Sequence, residues 1–211
     1  MKKLLINLVA FTALTVNGQS KFQLLSPDKT IRIEIQMLTR LSYSVFVDDK
    51  KILDQSVIDM NLTDGRSLSH DFKKTIEFNR SVHEIIVAQV PYSRKNIPDE
   101  FNETLLQFNN HFAVIFRAYN DGVSYRISTS FKDSFFVSGE TAGFRFANNT
   151  HAYAPLIQKR DDQDIFHTSF EELYQYKKLD SLSGKDFMYS PVLLKTTNEI
   201  FVALTESDLD D

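Results

Sequence analysis

A two-residue alternation is the feature that most limits how this chain can fold. Ile31, Ile33, Ile35 and Met37 alternate with Arg32, Glu34 and Gln36. Successive side chains of a strand point to opposite faces, so such a run is a half-buried strand. Tyr43, Val45 and Val47 repeat the pattern, and Asp48-Asp49-Lys50 offers a tight turn before Ile52-Leu53. Further runs stand at 83–87, 105–108, 112–119, 123–127, 135–137, 143–146, 188–194 and 200–204. Turn chemistry separates them: Ser26-Pro27-Asp28, Asp64-Gly65, Asn109-Asn110, Asn120-Asp121-Gly122, Asn148-Asn149 and Ser183-Gly184. Many short strands with few helical windows predict an all-β, antiparallel sandwich.

Composition agrees and removes several classes of function. Eighteen Phe and eight Tyr against no Trp form a strand-leaning aromatic load. No Cys is present, which excludes thiol catalysis, disulfide scaffolds and zinc ribbons. A net charge of −4 gives no basic footprint for nucleic acid.

The first residues read as an address. Lys2 and Lys3 precede an apolar run from Leu4 to Leu14, followed by Val16-Asn17-Gly18. A basic start, a short apolar core and small residues at the cleavage positions describe a secretory signal peptide. The run is too short to span a bilayer, which needs about 20 residues. Residues 1–18 are therefore expected to be removed, leaving one domain over 19–211 in the periplasm or outside the cell, with no membrane partner. Export without disulfides fits a bacterial periplasm. The sequons at Asn61, Asn79, Asn102 and Asn149 would matter only on a eukaryotic route.

Two stretches interrupt the alternation. Residues 90–102 hold Pro91, Pro98 and mixed charges, and read as a loop or edge crossing. Residues 154–185 lack clean alternation, and a connection that long is often functional. Within it, Ser169-Phe170-Glu171-Glu172 has the form of a capping box. That segment is either a short helix over 170–178 or an irregular crossing packed by its aromatics.

Familiar catalytic templates are missing: no Gly-x-Ser-x-Gly, no phosphate-binding glycine loop and no His-Glu-x-x-His occurs. His70, His83, His111, His151 and His167 are scattered without metal-ligand spacing. Asp161, Asp162 and Asp164 resemble the start of a calcium loop, but its required glycine is absent, and a solvated charge run is the better reading.

Arg117-Ala118-Tyr119-Asn120-Asp121-Gly122-Val123-Ser124-Tyr125-Arg126 resembles a strand–turn–strand hallmark of the N-terminal domain of glycoside hydrolase family 97. The order of other pieces makes the resemblance specific. Ser26-Pro27-Asp28 comes first, and Phe101-Asn102-Glu103 precedes the hallmark. Ala152-Tyr153-Ala154-Pro155, then Ser169-Phe170-Glu171-Glu172-Leu173-Tyr174, then Ala203-Leu204-Thr205-Glu206-Ser207-Asp208-Leu209 follow in register. Tyr153 departs mildly, standing where Trp is usual, as does Phe170 where Tyr is common.

The resemblance implies a β-super-sandwich of the galactose mutarotase type, here incomplete at its C-terminal side. It further implies that a (β/α)₈ barrel, carrying the two catalytic carboxylates for α-glucosides or α-galactosides, belongs after it. No catalytic residue is expected among these 211, and the chain reads as truncated before the barrel. One residue carries over to the chemistry: Glu171 matches a glutamate that reaches across to calcium in the complete enzyme, with Glu172 as the register-shifted competitor. The carbohydrate partner comes through the barrel. Asn120, Asp121 and Gly122 are assigned to turn geometry. The alternative is a free-standing exported carbohydrate-binding or structural sandwich.

Overall fold

The computed structural model describes residues 20–91, 93–158, 164–166 and 171–207. The expected signal peptide, Asp161, Asp162, His167, Ser169 and Phe170 lie outside them. The described residues form thirteen strands: β1 (Ser20–Leu25), β2 (Ile31–Met37), β3 (Leu41–Val47), β4 (Lys50–Leu62), β5 (Lys74–Val87), β6 (Asn96–Phe108), β7 (Phe112–Tyr119), β8 (Val123–Thr129), β9 (Val137–Ala142), β10 (His151–Ala154), β11 (Gln175–Lys178), β12 (Val192–Lys195) and β13 (Phe201–Leu204). They make three antiparallel sheets, ordered β1-β2-β3-β4-β9, β5-β6-β7-β8 and β11-β10-β12-β13.

The first two sheets close face to face. Alternation on β2 buries Ile31, Ile33 and Ile35, and alternation on β7 buries Phe112, Val114, Phe116 and Ala118. These inner faces, with Leu41, Tyr43, Ile58, Leu106 and Phe108, form one cluster. Aromatic rings fill its centre: Tyr43 lies 5.9 Å from Phe116 and 5.8 Å from Tyr125. A smaller cluster of Ala152, Ala154 and Leu194 backs the third sheet, and Phe146 packs against both clusters.

The turn before β4 is the tight one expected, with Asp48 and Asp49 both at positive φ (47° and 62°). Gly65 likewise takes a φ of 89° at the Asp64-Gly65 turn. The hallmark hairpin between β7 and β8 is different: no residue of Asn120-Asp121-Gly122 is left-handed. It is closed instead by the Tyr119 amide donating to the Gly122 carbonyl at 2.8 Å.

Several expectations need correction. The helix over 170–178 does not form in its described part; residues 175–178 are β11, paired with β10 and followed by a 3-10 turn at Leu179–Ser181. Cross-strand partners outweighed the local capping signal. Residues 96–102 are not a loop but the start of β6. The Pro98 position is tolerated because β6 gains its second neighbour, β7, only from Phe101 onward. Residues 143–146 form no strand, running beside β4 through the bridge of Leu53 to Phe146 and through backbone bonds of Gly143 to Val57 and of Asp54 to Arg145. Gly143 sits so close that an added Cβ would meet the Val57 carbonyl oxygen at 2.7 Å. Strand β9 covers Val137–Ala142 rather than 135–137, and β12 begins only at Val192, after the cis Ser190-Pro191 bond.

Phe116, 1% exposed, is the ring on which the two sheets meet. Phe116→Ala should lower unfolding stability by about 3–5 kcal/mol, the usual penalty for deleting a buried ring. Urea unfolding followed by tyrosine fluorescence and far-UV circular dichroism measures it.

Candidate functional site

The motif residues singled out in the sequence gather in two places. The first is the open edge of the sandwich, where β1 meets β5 and β6. There the Asn102 side-chain amide donates to the Leu25 carbonyl at 2.8 Å, and the Asp28 amide donates to Asn120 Oδ1 at 3.0 Å. Asp28 Oδ1 itself accepts from Ser26 Oγ, the Thr30 amide and Thr30 Oγ1. Those bonds hold its carboxyl below the usual carboxylate range.

At the centre of this edge is Glu103, 5% exposed. Arg80 clamps it through two bonds, Nε to Oε1 at 2.6 Å and Nη2 to Oε2 at 3.1 Å. Arg117 adds Nε to Oε2 at 2.7 Å while its guanidinium lies 4.5 Å from the centre of the Phe101 ring. Phe101 in turn packs on Tyr119 at 5.1 Å. Burial by itself would push the Glu103 carboxyl up. Hydrogen bonds and charge from both arginines overturn that and hold it below its ordinary 4.5. A groove of about 460 Å³ opens beside it, lined by residues such as Gln23, Asn79, Ser81 and Thr104. Glu103 is thus fully committed to two cations and is not poised as an acid or base. The Phe101-Asn102-Glu103 and Arg117-to-Arg126 pieces define structure at this edge.

The second gathering is the β10–β13 sheet. Tyr153 pairs with Tyr176 on β11 and Leu193 on β12, while His151 pairs with Lys178 and Lys195. Directly paired residues share a face, so these side chains stand together on the side opposite Ala152, Ala154 and Leu194. His151 stacks on Tyr176 at 4.8 Å with an 11° interplanar angle, and Tyr153 leans on the same ring at 4.9 Å. Glu171 and Glu172 enter this sheet from the segment before β11, and both are exposed. Among the described residues, no three His, Cys, Asp or Glu side chains gather as a metal cage.

The remaining candidates are structural. Asp164 Oδ1 accepts from the Phe166 amide at 2.7 Å, a local turn, while Asp161 and Asp162 lie outside the described residues. His111 sits at a φ of 68° with its Nδ1 3.3 Å from Ser130 Oγ. Sequence reasoning missed the partner of Glu103 on β5: Arg80 carries no motif, and only the β5–β6 register places it opposite Glu103.

The fold is that of a β-sandwich domain found within glycoside hydrolases. A family 97 glycoside hydrolase from Pseudoalteromonas sp. strain K8, solved in complex with panose, matches with a TM-score of 0.72 at 18% identity, over 86% of this chain and 28% of that one. A β-arabinopyranosidase matches with a TM-score of 0.78 at 22% identity, over 90% of this chain and 32% of that one. In sequence, a retaining α-galactosidase of Bacteroides thetaiotaomicron is 31% identical across 100% of this chain, which spans 32% of that protein. The chain belongs to the glycosyl-hydrolase 97 N-terminal family, whose model matches residues 24–211. It covers about a third of the curated relative's length.

Replacing Glu103 with Gln leaves two guanidinium groups without their shared counter-ion. With both arginines partly in water, the loss should be about 1–3 kcal/mol. Because the folded-state pKa lies below the unfolded one, the wild-type advantage is full above the ordinary carboxylate range. It fades as pH falls through the folded value. Thermal melts of wild type and Glu103→Gln between pH 7 and pH 3 should therefore converge at the acid end.

Proposed function

We propose that this chain is the non-catalytic N-terminal sandwich of a family 97 glycoside hydrolase whose barrel acts on α-galactosides or α-glucosides. The observation that carries the reading is the match over the whole chain to a third of a retaining α-galactosidase. The domain's own chemistry supports a supporting role: Glu103, the most buried carboxylate among the described residues, is neutralised by Arg80 and Arg117 rather than paired with a second acid.

Glu171 is the residue proposed to contribute to the active site, as one oxygen donor to calcium. Calcium is a hard cation that takes 6–8 oxygens, so the other donors must come from outside the described residues. The supporting feature is position: an exposed carboxylate at the entry to β11, in the segment that resembles the family's glutamate motif. We also propose export to the periplasm or beyond through removal of residues 1–18, on the basic-then-apolar pattern of the first residues. Intact-mass analysis of exported protein should then show Gln19 as the first residue, and an unprocessed Met1 would reject that processing.

Activity tests the main reading. The 211-residue chain alone should hydrolyse no aryl α-galactoside or α-glucoside above buffer background. Joined to the barrel of a family 97 glycosidase, it should support calcium-dependent turnover. In that chimera Glu171→Gln should weaken the calcium dependence at least as much as the roughly 10–100-fold that outer metal partners cost. Glu172→Gln should do much less; the reverse order would move the assignment to Glu172.

A further inference from the structure

The outer face of the β5–β8 sheet is not built like a face turned to water. The inner face of that sheet gives Leu106, Phe108, Phe112 and Phe116 to the core cluster. Directly paired residues share a face, so the residues between those point the other way. Rows such as Phe78–Leu105, Arg80–Glu103–Arg117 and Ile86–Ile97 therefore cross the outer side. The solvated side of an antiparallel sheet is ordinarily polar. Here Phe78 is 54% exposed, Ile86 50% and Ile76 49%.

Composition says what kind of cover this face fits. Cores of protein interfaces are enriched in arginine and aromatic rings and depleted of lysine. Arg80, Arg117 and Arg126 are the cations on this face, and no lysine stands there, although lysines outnumber arginines in the chain. Its one deeply buried carboxylate, Glu103, is closed by two arginines within the domain. Covering a pair that is already closed costs far less than stripping water from separate charges. Two guanidinium groups on one carboxylate leave a positive charge over, so a complementary surface offers an acidic or carbonyl oxygen.

Area separates a second copy from a longer chain. Four strands about 4.8 Å apart, averaging about ten residues, present roughly 650 Å². A stable pair of separate chains buries about 800 Å² on each partner. Domains of one chain hold together through less, because the tether supplies a high effective concentration. This chain spans 32% of the α-galactosidase relative, so about two-thirds of that protein lies outside the matched part.

We propose that the outer face of β5–β8 docks onto the remaining part of a family 97 hydrolase chain. Phe78 and Ile86 are its apolar anchors, and the Arg80–Glu103–Arg117 group meets an acidic or carbonyl oxygen. The proposal rests on the glycosidase reading above and deepens it by naming the face through which this domain meets the catalytic part.

The test is hydroxyl-radical footprinting of the 211-residue chain and of its chimera with the barrel of a family 97 glycosidase. Oxidation of Phe78 should be about fivefold or more slower in the chimera, because an interface core excludes water. Phe78→Lys should leave the melting temperature of the 211-residue chain within about 1 °C and lower that of the chimera by about 3 °C or more. Ile86→Lys, on a separate row, should repeat that pattern, and Phe78→Leu should keep most of the chimera's stability. Equal oxidation of Phe78 in both proteins, or lysine variants that leave the chimera's melting unchanged, overturns the proposal. So does a 211-residue chain that dimerises until Phe78→Lys separates it, since the face then belongs to a second copy. Calcium-dependent turnover by a chimera whose Phe78 stays unprotected sinks the docking face alone. A chimera without turnover counts against the glycosidase reading and takes the proposal with it.

Discussion

Tyr43 is the point on which the layers of this domain depend. Its ring packs between Phe116 and Tyr125 of the opposing sheet, while its hydroxyl donates to the Gly143 carbonyl at 3.1 Å. Gly143 begins the crossing that carries the chain from β9 toward the third sheet, and it presses directly on the Val57 backbone of β4. One side chain thus couples the closure of the main sandwich to the position of the next sheet. Burial pushes the Tyr43 hydroxyl far above its ordinary range, so it stays a neutral donor wherever the protein is folded. Tyr125 behaves alike, pushed up to about 12 by burial and by the charges of Glu140 and Glu206.

Around that apolar centre the open edge is secured by polar groups instead. Two arginines share the Glu103 carboxylate, and Asn102 and Asn120 tie β6 and the β7–β8 turn back to the first strand and its turn. Buried charge is costly unless it is paired and hydrogen-bonded, and here the bidentate Arg80 and the Arg117 bond supply three charge-assisted bonds to Glu103. The adjacent edge strand, β5, is left with Ile76, Phe78, Ile85, Ile86 and Val87 exposed. Polar locking at one edge and an aromatic outer face on the third sheet divide the molecule into a part that holds shape and a part open to contact.

That division bears on function. The pieces resembling family 97 fall into both parts. Tyr153 pairs with Tyr176 on the β10–β13 sheet, and Glu171 lies in the segment that leads into β11. Phe101, Glu103, Arg117 and Asn120 are spent on internal contacts.

The sequence by itself determined the architecture class, because strand alternation is a local property. Ile31 through Ile35 and Phe112 through Ala118 each declare a buried face with no knowledge of their partners. It also determined the Asp48-Asp49 turn, where the residue types tolerate the left-handed backbone. Pairing settled what local signals left open. Residues 175–178 follow a capping-box signal, but they pair with β10, and Asn96 through Glu100 form a strand because β5 extends beside them. Tertiary structure alone decided that Arg80 faces Glu103 and that His151, Tyr153 and Tyr176 form one surface. Register between strands is a long-range quantity, set when whole faces bury together, and no short stretch of sequence contains it.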